Sequence, residues 1–172
     1  MKANARVQRR ASIHWGVLLF FALALTAWVI WSFSLESAAE SSQRSHAVYR
    51  MVESAVNRFP LLQRMLRVAN LNTSQLQEHF RKIAHFVEYA VFGFLVQLFF
   101  AALGRMNGHF AIHGLSAGLA VAVADEMLQT MRDRGPMVQD VALDFGGVLF
   151  GSLIMWLLFG LWRLIRRVIG RG

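Results

Sequence analysis

The chain contains no cysteine and only two prolines. The first absence excludes a disulfide framework and any thiolate metal site, and it leaves the redox compartment unread. The two prolines are Pro60 and Pro136, so the long apolar runs elsewhere are unbroken. Charge is also scarce, at 16% of residues, against about 25% in an average globular domain. Acids are fewer still: Asp and Glu total 10 against 18 Lys and Arg, a net charge of +8. In a soluble protein that excess would suggest nucleic acid. Here 56% of the residues are apolar and the mean hydropathy is +0.42. The basic residues fringe apolar runs, where they meet anionic headgroups. A nucleic-acid partner is therefore not expected.

What the chain does have is four apolar stretches of the length a bilayer requires, about 20 residues. They run over about 15–33, 83–103, 110–128 and 141–162. The first follows Lys2, Arg6, Arg9 and Arg10 like a signal peptide. It exceeds the roughly 7–15 residues of a signal core, and Ser37-Ala38-Ala39 makes a weak cleavage site, so an uncleaved helix is expected. Gly104–His109 and the turn-bearing Thr130–Asp140, with Gly135-Pro136, join the later spans. Residues 41–70 are polar enough to leave the bilayer. They nonetheless carry Val48, Met51, Val52, Val56 and Phe59 at helical spacing, then Leu61, Leu62, Met65 and Leu66 beyond Pro60. This pattern reads either as an amphipathic surface helix pair or as a plain helical connector. Asn72 or Thr73 would cap the helix that enters the second span.

The expected fold is all-α. It is an integral membrane four-helix bundle, with an extracytoplasmic amphipathic helical segment between the first and second spans. Residues 1–172 form one domain. The acid-free basic clusters lie at the two ends: Lys2, Arg6, Arg9 and Arg10, then Arg163, Arg166, Arg167 and Arg171. By the positive-inside rule both termini are cytoplasmic, in a multi-pass protein of the bacterial cytoplasmic membrane.

Ionisable residues within the spans cost about 2.5–3.5 kcal/mol each to insert, so they default to a functional reading. The second span opens with Lys82, His85 and Tyr89 on one helical stripe and Glu88 on its flank. The third ends with Asp125, Glu126 and Gln129; the fourth begins with Asp140 and Asp144, and Arg134 lies in the loop between. Start, end and start of successive spans fall on one side of a membrane. These residues should form one polar site, in the extracytoplasmic leaflet. Gly147 and Gly151 share the Asp144 face and would let a neighbouring helix approach closely. His109 and His113 lie toward the other leaflet and read as interfacial. The competing explanation is that Lys82 and Arg134 only neutralise buried acids.

The pattern Lys82-x-x-His85-Phe86-x-Glu88-Tyr89, then Asp125-Glu126-x-x-Gln129, then Arg134, Asp140, Asp144, Gly147 and Gly151, resembles the VanZ family. That family is named for a protein associated with low-level teicoplanin resistance. The resemblance covers roughly residues 13–162. It implies a multi-span bundle in the cell envelope and a link to glycopeptide antibiotic resistance, without a settled activity. The family often has Asn where this chain has Asp144, and Pro-Gly before the arginine where this chain has Arg132-Asp133.

Three functions stay open. In the first, the site binds the headgroup of a membrane lipid, a lipid-linked envelope precursor or a lipoglycopeptide. Lys82, Tyr89, Gln129 and Arg134 are then the ligand-binding residues, with Arg134 gripping phosphate or carboxylate. In the second, the protein is a membrane enzyme acting on a lipid headgroup. His85 and Glu88 are its acid–base pair, and Asp125, Glu126, Asp140 and Asp144 hold a divalent cation such as Mg²⁺ or Mn²⁺. In the third, the acids relay protons in a coupled transporter. Four spans are few for that role without oligomerisation, and the oligomeric state stays open.

Overall fold

A computed structural model describes residues 2–36, 73–131 and 138–170, with isolated positions at 43, 47, 50, 51, 54 and 58. The surface segment expected over 41–70 lies, those positions apart, outside the described residues, as do Arg134, Pro136 and Asn72. Among the described residues there are four helices and no strand: α1 (Lys2–Ser34), α2 (Thr73–Ala102), α3 (Gly108–Thr130) and α4 (Val138–Ile169). All four are long and apolar enough to cross a membrane, over Ile13–Ser34, Glu78–Ala102, Gly108–Thr130 and Val138–Ile169. Helices are what the bilayer permits, because each satisfies its own backbone donors and acceptors where no water can. Their outward faces agree with that setting. Trp15, Leu18, Phe21, Leu25 and Trp28 are exposed along α1, and Leu153, Leu157, Leu158 and Leu161 along α4.

The turn between α2 and α3 is written in its residues. Gly104 takes φ +69, a left-handed conformation that costs glycine little. The Gly104 amide donates to the Ala101 carbonyl and the Arg105 amide to that of Phe100, the bond pair of a Schellman cap. Asn107 then caps α3, its side chain accepting from the Phe110 amide at 3.1 Å.

Helix packing in lipid lacks a hydrophobic drive and relies on close backbone approach. Here α2 and α4 make the most extensive contact. A Cβ on Gly147 would collide with the Phe86 carbonyl oxygen, one on Gly151 with that of Ala90, and one on Gly93 with that of Val148. Phe86 and Ala90 rise along α2 as Gly147 and Gly151 rise along α4, so the two helices run parallel. Ser152 Oγ donates across the same seam to the Gly93 carbonyl at 3.3 Å. Helix α1 runs antiparallel to α2: its Gly16 lies against Leu103, near the far end of α2. Helix α3 touches all three others. Its Gly118 seats the Val148 side chain, and Gln97 of α2 donates to its Ala111 carbonyl at 3.1 Å. The apolar core, Ile30, Tyr89, Phe92, Ala122 and Val148, draws on all four helices.

Where α4 runs past this core its basic residues lie on aromatic rings. Arg163 sits 5.0 Å from the Phe159 ring and Arg166 4.4 Å from that of Trp162. Arg166 and Arg167 occupy the last turn, where cations complement the helix dipole.

Candidate functional site

Helices α1 and α3 finish at the bundle end where α2 and α4 begin. Polar side chains from all four turn inward there. His85 enters from α2, Asp125 from α3 and Asp144 from α4, and one ligand-type atom of each lies within 4.8 Å of the others. His85 Nδ1 and Asp144 Oδ1 are 3.8 Å apart. At 1.5 Å per residue, these groups sit roughly 8–10 Å inside the ends of the apolar helices. Asp125 is fully buried and Asp144 is 2% exposed. The His85 side chain retains 19%.

Gln129 Nε2 donates to Asp125 Oδ2 at 3.0 Å, as the i, i+4 spacing on α3 allows. The other Asp125 oxygen, Oδ1, is buried with no hydrogen bond. The hydroxyls of Ser34 and Tyr89 stand beside this carboxyl. Both residues are at most 1% exposed, yet neither hydroxyl closes a hydrogen bond. Buried polar atoms are normally paired. At this site two such hydroxyls flank a carboxyl whose own Oδ1 is the third unpaired atom; Trp31 Nε1 and Gln97 Oε1 are further buried atoms without a hydrogen bond, so the feature is not confined to the site. The ring of Tyr89 belongs to the apolar core and its hydroxyl to the polar group.

Above this group a shallow cleft opens between α2, α3 and α4, its enclosed part only about 10 Å³, room for about one water molecule. Arg81, Lys82 and His85 form one wall; Gln129, Asp140, Leu143 and Asp144 form the rest. Lys82 Nζ pairs with Glu78 at 2.9 Å, with side chains 41% and 56% exposed. So exposed a pair holds its partners weakly, and Lys82 can turn to another anion.

The residues singled out from sequence are placed as follows. His85, Asp125 and Asp144 converge, with Tyr89 and Gln129 against Asp125. Lys82 and Asp140 line the cleft. Glu88 is half-buried one turn from His85, and Glu126 is buried at 9%. Both lie within electrostatic reach of Asp144 and outside the converging trio. Arg134 lies outside the described residues. Ser34 and Arg81 had not been singled out. Ser34 is one polar residue at the end of a long apolar run, and nothing in that run marks it.

A buried His/Asp/Asp group at one end of a four-helix membrane bundle, under a cleft with a basic wall, defines a class: a multi-pass membrane protein with an intramembrane polar site. The model of the VanZ/LLP1 family matches residues 19–160, from the middle of α1 through most of α4, and the chain belongs to that family. No curated protein and no solved structure matches it significantly.

Proposed function

We propose that the protein binds the headgroup of a membrane lipid, or of a lipid-linked envelope molecule, through a phosphate or carboxylate seated in the cleft. A lipid-linked precursor and a lipoglycopeptide share that chemistry, which connects the reading to the family's link with glycopeptide resistance. The observation that carries it is the cleft itself. It opens where α2 and α4 begin, with Arg81 and Lys82 on its wall and the largely buried His85 leading inward. An acyl chain leaving such a mouth would lie along the apolar outer faces of the helices. In this reading both termini are cytoplasmic, the protein resides in the cytoplasmic membrane, and the cleft faces the outer leaflet. The acid-free basic ends support that orientation.

Binding of short-chain phosphatidic acid and phosphatidylcholine to the detergent-purified protein tests the reading. Phosphatidic acid should bind more tightly. A desolvated charge-assisted hydrogen bond contributes about 1.5–3 kcal/mol. Arg81 and Lys82 are partly exposed, so about 1 kcal/mol each is expected, roughly a 5-fold loss for either Arg81→Ala or Lys82→Ala. Equal affinity for both lipids, unchanged in the two variants, would rule the cleft out as a headgroup site.

One observation favours a second reading, a membrane enzyme that acts on the same headgroup: a histidine lies within reach of two buried aspartates, as general-base or cation-assisted hydrolysis requires. Turnover of phosphatidic acid that is lost on chelation would select it over binding alone.

A further inference from the structure

The cleft and its floor do not match in charge. Asp144 lies within electrostatic reach of Asp125, Asp140, Glu126 and Glu88. Facing them, among the described residues, are Arg81 and Lys82 at the mouth and His85 between. Lys82 is shared with Glu78, in an exposed pair that holds it weakly. An anionic headgroup seated on this floor meets carboxylates at short range in a low dielectric, where repulsion is strongest. Buried charges are stable when they are paired or coordinate metals.

We infer that His85, Asp125 and Asp144 hold a divalent cation of the Mn²⁺ class at the floor of the cleft, and that this ion receives the headgroup oxygen. The inference deepens the headgroup reading, but the ion site stands on its own geometry.

Two ligands each about 2.1 Å from one ion lie about 3.0–4.2 Å from each other, cis to trans. The 3.8 Å between His85 Nδ1 and Asp144 Oδ1 falls in that range. The 4.8 Å bound on the trio needs only a small contraction. The second sign adds two groups that are not acids. The buried Tyr89 and Ser34 hydroxyls stand beside the Asp125 carboxyl, and neither they nor Asp125 Oδ1 completes a hydrogen bond of full geometry. A cation there gives Asp125 Oδ1 its partner, and a water on that cation gives the two hydroxyls theirs. One imidazole with two carboxylates suits Mn²⁺, which accepts both ligand types. Gln129 fixes the other oxygen of Asp125, the kind of outer contact that orients a ligand. His85, the most exposed of the three, leaves the ion open toward the cleft.

The test is an Mn²⁺ titration of the full-length protein in detergent, read by loss of the free-ion EPR signal. Saturable binding of one ion per chain is expected. His85→Ala and Asp144→Asn should each weaken it at least about 10-fold, and Tyr89→Phe by a smaller factor. His109→Ala, which removes an exposed histidine on the opposite side of the bundle, should bind as the unaltered protein does. Asp144→Asn and Tyr89→Phe keep side-chain shape, so either answers if His85→Ala does not fold. No saturable binding, or equal binding in the Asp144→Asn and Tyr89→Phe variants, overturns the ion site.

Repeating the phosphatidic acid measurement with EDTA separates the two readings. Lipid affinity that falls with EDTA supports the ion bridge. Lipid binding indifferent to EDTA, with no Mn²⁺ bound, removes the ion and leaves the headgroup reading intact. Mn²⁺ binding without lipid binding removes the headgroup and keeps the ion.

Discussion

Replacing Gly151 with alanine should loosen the bundle out of proportion to one methyl group. The new Cβ runs into the carbonyl oxygen of Ala90, with the Ala90 carbonyl carbon and the Phe94 amide close behind. All three are backbone atoms of α2, so no rotamer change relieves the collision. The helices must part by more than about 1 Å before the contact becomes tolerable. Overpacking of this kind costs about 1–3 kcal/mol. The Ser152–Gly93 hydrogen bond, already 3.3 Å long, goes with it, for about 0.6 kcal/mol. Set against the gain of about 1 kcal/mol that alanine brings to a helix over glycine, a net loss of about 1–3 kcal/mol follows, or roughly 2–12 °C in Tm for a chain of this size. Gly160→Ala supplies the comparison, because a Cβ there meets nothing. Alanine is a better helix former than glycine by about 1 kcal/mol, so Gly160→Ala should match or slightly exceed the unaltered protein. Thermal unfolding in detergent, followed by circular dichroism, reads both. If the two substitutions shift Tm alike, the α2–α4 seam is not the close contact described.

Two further expectations concern the loops and the orientation. Asn107→Ala removes the α3 cap and should cost about 1 kcal/mol, seen as a small fall in Tm with Mn²⁺ and lipid affinity unchanged, since the cap lies at the bundle end away from the cleft. Reporter fusions at residue 172 and within residues 41–70 should report opposite compartments, the former cytoplasmic; the same compartment for both would overturn the orientation on which the outer-leaflet reading depends.

The four spans were legible in the sequence because a bilayer asks for one simple thing, an apolar run of sufficient length. Their ends were less so. Helix α2 begins at Thr73 and α4 continues to Ile169, because polar and basic turns stay helical beyond the apolar run that marks the span. Gly147 and Gly151 announced a close helix contact, but a single sequence could not name Gly93, Phe86 and Ala90 as what they meet. Within the site, side-chain direction decided what spacing could not. On α3, Glu126 projects about 100° round the helix from Asp125, and it is Asp125 that meets His85. On α4, Asp140 sits one turn nearer the mouth than Asp144 and lines the cleft above the trio. Ser34 is the least legible member: only folding brings the end of α1 beside the end of α3.

The contact between Gly147 and Phe86 bears on which ions the floor of the cleft would admit. Phe86 follows His85 directly, and Gly147 lies three residues beyond Asp144. The spacing of the His85 and Asp144 backbones is therefore set by main chain resting on main chain. A cavity built this way has a fixed gauge. Calcium, with bonds of about 2.3–2.6 Å and six to eight ligands, usually occupies loops that can widen. Ions with bonds near 2.1 Å need no such widening. Discrimination by ionic radius would then reside in the two glycine-lined backbones, and enlarging the gap by a methyl group at Gly147 would relax it without touching a ligand.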